Sequence, residues 1–347
     1  MTSPSSSTSC DSRSLRSSQE DDLGPYYSGR TLSIKRHTPA LPWGRSYCKS
    51  EVDDPEVSDG VSKVEWCLTH PPTPGSTDLN DTRDIILNDP IRVGNECGAQ
   101  ILSINDGLVA KIYDPLCYSF HTQGWTNNVT AEADHDYCIE AAVYSALNGS
   151  SLEGSMPEYY GSWTADVLID VEGRQQSREI RMILIEYIVG ISMRNIKPHE
   201  LSRKARENIM YKVIEADTDL FIAGVEHDDF EPRNILIILP LRFDAPETTS
   251  SYDTSFENPN LRVCIIDFGI SCVYTLADRE PLDERYHNPL FRWAGADMYN
   301  EYGWLSPRRE ATDWMWEMWG YGGLDEKYIK VVRDMDDVIG RPIYPED

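Results

Sequence analysis

Short apolar runs separated by turn-forming residues characterise the chain from residue 86 onward. The runs at residues 91–93, 101–104 and 108–113 are joined by segments that contain glycine or asparagine, a pattern that predicts three consecutive antiparallel strands. A further apolar run over residues 182–188 predicts one more strand. This part of the chain is therefore expected to be rich in β-structure.

A helical spacing of apolar residues dominates the part that follows. Between residues 201 and 225 apolar side chains recur at a period close to 3.6, which is typical of a long helix with one buried face. Two short apolar runs, at 235–239 and 263–266, predict a pair of strands among the helices. The other predicted helices cover residues 137–147, 312–319 and 324–332.

Two polar segments interrupt this pattern. Nine of the first twenty residues are serine, and clusters of Pro, Thr, Asp and Gly continue to about residue 82. Because such a segment has little apolar surface to bury, residues 1–85 are expected to form a disordered tail. Residues 242–260 are expected to form an inserted loop. The fold class that results is α+β, with a β-rich part followed by a mainly helical part.

Charge and cysteine content exclude several classes of function. The 32 Lys and Arg residues against 58 Asp and Glu residues give a net charge of −26, which argues against binding nucleic acid or anionic membranes through a basic surface. The eight cysteines are scattered without a C-x-x-C pair, so neither a zinc site nor a disulfide framework is expected. Without a secretory or membrane-spanning pattern, an intracellular address, cytoplasmic or nuclear, is expected.

The clearest candidate chemistry lies in residues 227–234, which read His-Asp-Asp-Phe-Glu-Pro-Arg-Asn. An apolar strand, the insert and a second strand follow, and the second strand ends in Ile-Asp-Phe-Gly at 266–269. Transfer of a phosphoryl group needs a carboxylate that orients the attacking hydroxyl and oxygen ligands for Mg²⁺. Asp229, Asn234 and Asp267 supply that set.

This arrangement resembles the protein kinase superfamily, whose catalytic loop reads H-x-D-x-x-x-x-N and whose metal-binding turn reads D-F-G. The resemblance implies that Asp229 is the catalytic residue and that Asn234 and Asp267 bind Mg²⁺. It also implies that Lys111, at the end of a V-A-K sequence in a predicted strand, binds the phosphates of ATP. Glu140, in the predicted helix that follows, would then pair with Lys111.

The resemblance extends over residues 89–275 and implies a two-lobed protein-kinase-like fold. Its N-lobe and hinge would cover residues 86–188, and an abridged, mainly helical C-lobe would cover residues 189–347. The chain is most similar to short protein-kinase-like proteins of fungi, with some likeness to aminoglycoside and choline phosphotransferases. The remaining ATP-binding residues that the resemblance implies are Gly94 and Gly98 over the phosphates, and Glu186 and Ile188 at the adenine.

Departures from the kinase pattern leave alternatives open. Asp228 stands where regulated kinases carry arginine, and Glu231 stands where a lysine contacts the γ-phosphate, so Arg233 is the nearest replacement. His227 is expected to have a structural role. We expect an ATP-dependent kinase that acts on a hydroxyl acceptor, either Ser or Thr of a protein or a cationic small molecule. A catalytically weak pseudokinase scaffold is the alternative.

Overall fold

The structure is a computed structural model of a mixed α+β protein. It describes residues 25–44, 47, 55–150, 152, 154–240, 255–277, 279–280, 283–284, 287–296, 299–323, 326–337 and 339–343. The chain divides into two compact units. The first comprises Met1–Ala40, Val52–Tyr137 and Tyr160–Tyr187, and the second comprises Leu41–Glu51, Cys138–Tyr159 and Ile188–Asp347. Within the described ranges, no helix combines the length and apolar character needed to cross a membrane.

A six-stranded antiparallel sheet forms the first unit, together with a short helix, α1 (Lys63–Thr69), and a small hairpin. The strands of this part are β1 (Thr31–Thr38), β2 (Ser76–Arg92), β3 (Gln100–Ile104), β4 (Leu108–Tyr113), β5 (His121–Thr122), β6 (Trp125–Thr126), β7 (Tyr159–Val171) and β8 (Arg174–Glu186). In the large sheet the order is β1-β2-β3-β4-β8-β7, and β1 also pairs with β7. The sheet therefore closes on itself around an apolar core.

The expectation that residues 1–85 are disordered is wrong for most of the described part of that segment. Leu32 and Ile34 alternate with polar residues in β1, and Leu32 pairs in register with the fully buried Ile85 of β2. In α1, Trp66 is buried and Ser62 caps the helix by accepting a hydrogen bond from the backbone. A few well-spaced apolar residues are enough for these elements, although the polar composition conceals them. The unit boundary expected at residue 86 is therefore wrong as well, and residues 1–24 lie outside the described part.

The strands predicted at 101–104 and 108–113 are confirmed as β3 and β4, whereas the strand predicted over 182–188 begins much earlier. β8 forms a hairpin with β7 through Glu172 and Gly173, whose φ angles of 52° and 79° suit a two-residue turn. The first four residues of β8 are polar and exposed, and the next two are charged, which is why the apolar pattern reveals only the end of the strand. A long helix, α2 (Val129–Leu147), contains the predicted segment 137–147 and contributes to both units.

Helices and short strands form the second unit. Its described helices are α3 (Arg203–Ile222), α4 (Leu290–Trp293) and α5 (Arg308–Trp319). Its described strands are β9 (Ile191–Ser192), β10 (Val225–Glu226), β11 (Ile235–Ile238), β12 (Arg262–Ile265), β13 (Cys272–Val273), β14 (Val332–Arg333) and β15 (Pro342–Ile343). β12, β11 and β9 form one sheet, whereas β10 pairs with β13 and β14 with β15.

The sequence predicts α3 and the pair β11–β12 correctly, and it places the start of α5 a few residues late. The helix predicted over 324–332 is wrong, because residues 327–331 are irregular and a strand begins at Val332. Backbone groups there bond to distant residues: Tyr328 N–H donates to Gly322, and Ile329 N–H donates to His287. The expected insert lies mostly at residues 241–254, outside the described residues.

Candidate functional site

The loop that carries the candidate chemistry connects β10 to β11 in the second unit. It ends in a single 3₁₀ turn, Pro232–Asn234, which begins at a proline whose missing N–H costs nothing at that position. Two backbone hydrogen bonds shape the loop: Glu231 N–H donates to Asp229 O at 2.8 Å, and Asn234 N–H donates to Glu231 O at 2.8 Å. Asp229 and Asn234 are thereby brought side by side.

The amide group of Asn234 holds Asp229 directly. Its Nδ2 donates to the backbone O of Asp229 at 2.9 Å and to carboxylate Oδ2 at 2.9 Å. Asn234 is almost completely buried, with 4% of its surface exposed. Both of these bonds use the amide nitrogen and neither uses the amide oxygen, an atom type that can bind a cation.

Arg233 and Glu231 flank the Asp229 carboxylate. The Arg233 guanidinium donates to Asp229 Oδ1 and lies 4.0 Å from Glu231 Oε2. Tyr302 donates its hydroxyl to the same Glu231 oxygen at 2.6 Å. Both oxygens of Asp229 therefore have hydrogen-bond donors in this arrangement.

His227 joins the loop to the end of β12. Asp229 N–H donates to Nδ1 at 3.2 Å, so Nε2 carries the proton and donates to Ile266 O at 3.1 Å. Burial lowers the pKa of His227, although the Ile266 carbonyl and the charges of Asp267 and Asp229 oppose the shift. The ring is therefore neutral at pH 7 and ties the loop to β12.

The Asp-Phe-Gly turn follows β12 immediately. Ile266 N–H donates to Asn234 O at 2.9 Å, so Asp267 follows a residue that is bonded to Asn234. Asp267 has a φ of 68°, a left-handed conformation that aspartate adopts more readily than most residues. The fully buried Phe268 fixes the turn, since its ring lies 5.0 Å from that of His227 and 5.4 Å from that of Tyr144.

The donor set is small and made of hard oxygen ligands. No group of three or more His, Cys, Asp or Glu side chains in the described ranges is arranged to hold a metal ion. The amide oxygen of Asn234 and the carboxylate of Asp267 are the kind of two-residue set that suits Mg²⁺, a cation that keeps several waters and also takes phosphate oxygens. The donor types suit Mg²⁺, and binding of the metal by these two residues stays a prediction.

An ion-pair network that the sequence analysis misses supports the start of the loop. Arg292 pairs with Asp217 at 2.7 Å and with Glu226 at 3.3 Å, and Arg279 pairs with Glu226 at 3.1 Å. Asp217 interrupts the apolar face of α3, and this break is the signal that could have revealed it. Burial and the charge of Glu226 raise the pKa of Asp228.

Lys111, Gly94 and Gly98 lie in the first unit. Lys111 is in β4 with 4% of its surface exposed, opposite Ile101 in β3. Gly94 and Gly98 lie in the turn between β2 and β3, and the Gln100 side chain secures that turn. Gln100 Oε1 accepts from Gly94 N–H at 2.7 Å, and Nε2 donates to Gly94 O at 3.0 Å and to Gly98 O at 2.8 Å. The sequence analysis misses Gln100, because a lone glutamine carries no motif.

The remaining predicted ATP-binding residues lie near the points in the sequence where the chain passes from one unit to the other. They are Glu140, Glu186 and Ile188. Glu140 is fully buried in α2, and its residue range belongs to the second unit. Glu186 is the last residue of β8, and Ile188 is the first residue of the last segment of the second unit. Since Lys111 belongs to the first unit, its pairing with Glu140 stays a prediction.

Comparisons with known proteins add no family to this geometry. The chain matches no protein-family model, and a search of curated proteins finds no relative. The residues and their contacts are therefore the basis for a functional conclusion.

Proposed function

We propose that this protein is an ATP- and Mg²⁺-dependent phosphotransferase that moves the γ-phosphate of ATP to a hydroxyl acceptor, such as Ser or Thr of a protein. One observation carries the proposal: Asn234 bonds both to the Asp229 carboxylate and, through its backbone, to the residue before Asp267. The proposed base and both proposed metal ligands thus lie in one unit, on two segments that hydrogen bonds of Asn234 join. We further propose a protein-kinase-like fold, which the division into a sheet-based unit and a helix-containing unit supports.

In this proposal Asp229 is the catalytic residue. As the acceptor oxygen attacks the γ-phosphorus, the bond from phosphorus to the oxygen of the leaving ADP breaks, and the acceptor proton passes to Asp229. Asn234 holds Oδ2, so Oδ1 is the oxygen that receives the proton once Arg233 turns from it toward the transferred phosphate. Asn234 and Asp267 would hold Mg²⁺, which when bound neutralises charge on the phosphates.

Lys111 is the proposed phosphate-binding residue of the first unit. It lies on β4, a strand that is buried along its whole length. We assign it to the phosphates of ATP, as the resemblance implies, with Glu140 as the carboxylate that orients it. The turn that contains Gly94 and Gly98 would lie over the phosphates, as the resemblance implies. The N–H groups of the two glycines themselves already donate to Gln100 Oε1 and to Cys117 O.

Adenine would bind at the segment that ends β8. Glu186 would offer its backbone carbonyl and Ile188 its backbone N–H, as the resemblance implies. Tyr187, between them, donates its own N–H to Gly107 O at 3.2 Å, which holds this segment to the turn before β4. The acceptor is either a protein hydroxyl or a cationic small molecule, the class that aminoglycoside and choline phosphotransferases use.

A second candidate function is a nucleotide-binding scaffold with weak turnover. The contact between Arg233 and Asp229 favours it, because the guanidinium occupies the oxygen that has to receive the acceptor proton. Glu231 adds a negative charge where a kinase places the lysine that contacts the γ-phosphate. Both candidates bind Mg²⁺·ATP, and only the first transfers phosphate at an appreciable rate.

A thermal-shift experiment with ATP, with and without Mg²⁺, tests the proposal. Binding at an ATP concentration about 100-fold above Kd stabilises the folded state by about 2.7 kcal/mol. We expect this stabilisation to require Mg²⁺ and to be lost in Asp267→Ala. It should persist in Asp166→Asn, a control that changes an exposed carboxylate of the first unit. Absence of any Mg²⁺·ATP stabilisation in the unaltered protein would overturn the proposal.

A further inference from the structure

A short segment near the N-terminus belongs to the second unit, although the chain on both sides of it belongs to the first. This segment, Leu41–Glu51, contains the buried side chains of Trp43 and Tyr47. Tyr47 N–H donates to Gly44 O at 2.8 Å. Only 3% of the Tyr47 surface is exposed, so its hydroxyl lies inside the unit.

The Tyr47 hydroxyl makes two hydrogen bonds to the backbone of the segment that follows the Asp-Phe-Gly turn. It donates to Ser271 O at 3.0 Å and accepts from Val273 N–H at 2.8 Å. Burial is the main reason that the pKa of Tyr47 rises, to about 12. The hydroxyl therefore keeps its proton at neutral pH, and the bond to Ser271 is retained.

These two bonds complete the pairing of β13. On one edge β13 pairs with β10, with Glu226 opposite Cys272 and Val225 opposite Val273, and Tyr274, the first residue after β13, donates its N–H to Gly224 O. Alternate residues of a strand direct their backbone groups to opposite edges, so Ser271 O and Val273 N–H face away from β10. Tyr47 supplies the partner on that second edge, where an unpaired buried donor or acceptor would be costly.

The strand pair β10–β13, which Tyr47 holds at the outer edge of β13, is connected to both parts of the candidate site. β10 leads directly into His227, and β13 begins three residues after the turn at 267–269. The hydrogen bond from His227 to Ile266 O also joins the segment that follows β10 to the segment that precedes the Asp267 turn. A shift of β13 would therefore displace the Asp267 turn relative to the loop that carries Asp229.

We propose that Tyr47 is a positioning residue for phosphoryl transfer, because its hydroxyl holds β13 and thereby fixes the Asp267 turn against the Asp229 loop. This inference rests on the proposed function for its catalytic consequence only. Misplacement of a reacting or metal-binding group by a fraction of an ångström lowers turnover without removing the binding site. Tyr47→Phe, which deletes the hydroxyl and keeps the ring, is the variant that isolates this effect.

Hydrogen–deuterium exchange of the ligand-free protein tests, independently of activity, whether the Tyr47 hydroxyl holds β13. In Tyr47→Phe we expect amide hydrogens of residues 224–234 and 262–277 to exchange about 10-fold faster, since the lost bonds favour local opening. Tyr328→Phe is the matched control, because it removes another buried hydroxyl of this unit, one that bonds to Asp219. Unchanged exchange in Tyr47→Phe, or equally faster exchange throughout the chain, would overturn a local positioning role.

Steady-state turnover of Mg²⁺·ATP, measured as ADP formation, tests the catalytic consequence. We expect kcat to fall about 10-fold in Tyr47→Phe while KM for ATP changes by less than about two-fold, whereas Tyr328→Phe should leave both unchanged. An active unaltered protein whose kcat survives Tyr47→Phe would overturn the inference. If the unaltered protein neither binds nor turns over ATP, the proposed function fails. The exchange data still decide whether Tyr47 holds β13.

Discussion

The loop at 227–234 and the turn at 94–98 are both proposed to handle phosphate, and they are built in different ways. In the loop, the side chains with candidate chemistry bond to one another, as Asn234 and Arg233 both donate to Asp229. In the turn, the buried side chain of Gln100 holds the backbone through three hydrogen bonds, one from the Gly94 N–H and two to the carbonyl oxygens of Gly94 and Gly98. Chemistry carried by side chains leaves a motif in the sequence, whereas chemistry carried by the backbone leaves little.

The largest expected effect is that of Asp229→Asn. Loss of the carboxylate that receives the acceptor proton should lower kcat by about 10³-fold, within the range typical of general bases. The neutral amide can still bond to Asn234, so the fold should be retained. ADP formation and the melting temperature are the two measurements, and full activity of this variant would contradict the assignment of Asp229.

Substitution of Arg233 tests whether its contact with Asp229 promotes turnover or blocks it. If Arg233 turns to the γ-phosphate, Arg233→Ala should lower kcat about 10-fold, and Arg233→Lys should recover part of the loss because it keeps the charge. If the guanidinium instead blocks Asp229, turnover should rise in Arg233→Ala. Such a rise would favour the scaffold interpretation of the unaltered protein.

Gln100→Ala should affect binding more than chemistry. Removal of three hydrogen bonds loosens the turn at 94–98, so KM for ATP should rise several-fold while kcat stays within about two-fold. Ser103→Ala in the same strand, β3, is the control, since its hydroxyl bonds to the backbone of the exposed Asp89 and not to the turn at 94–98 among the described residues. A large fall in kcat with unchanged KM would contradict the idea that the turn at 94–98 contributes to ATP binding and the loop at 227–234 to chemistry.

The smallest expected effect is a dependence on pH that arises from His227. Burial lowers its pKa in the folded protein, so the unfolded chain binds more protons as the pH falls below about 6.5, and the folded state loses stability there. Above that pH the contribution is fully present. Urea unfolding at pH 7.5 and 5.0 should therefore show that the difference in stability between the unaltered protein and His227→Asn narrows at the lower pH. A difference that is independent of pH would contradict a neutral, buried His227.

The sequence reveals elements whose apolar residues follow one regular period. It locates β3, β4, α3 and the pair β11–β12, because in each of them burial is reflected in the spacing of apolar residues. It fails for β1 and the first half of β8, where pairing partners stabilise strands of mixed or polar composition. It also fails at 324–332, where non-local backbone bonds override helix propensity.

The residues of the candidate site likewise divide into those that the sequence identifies and those that only the fold reveals. The spacing within 227–234 identifies Asp229 and Asn234, and the structure places them in direct contact. Tyr47 could not be predicted, because its role depends on an edge of β13 that lies more than 220 residues away in the chain. Arg292 and Gln100 likewise act through contacts that only the fold creates.

Transfer of labelled γ-phosphate from ATP is the most direct test of the central claim, that the Asp229 loop and the Asp267 turn form one phosphoryl-transfer site. The full chain is incubated with labelled ATP, with and without Mg²⁺, and with basic Ser/Thr peptides or aminoglycosides as acceptors. We expect Mg²⁺-dependent transfer that falls about 10³-fold in Asp229→Asn and is lost in Asp267→Ala. Transfer that survives both substitutions, or the absence of transfer to any acceptor including water, would contradict it.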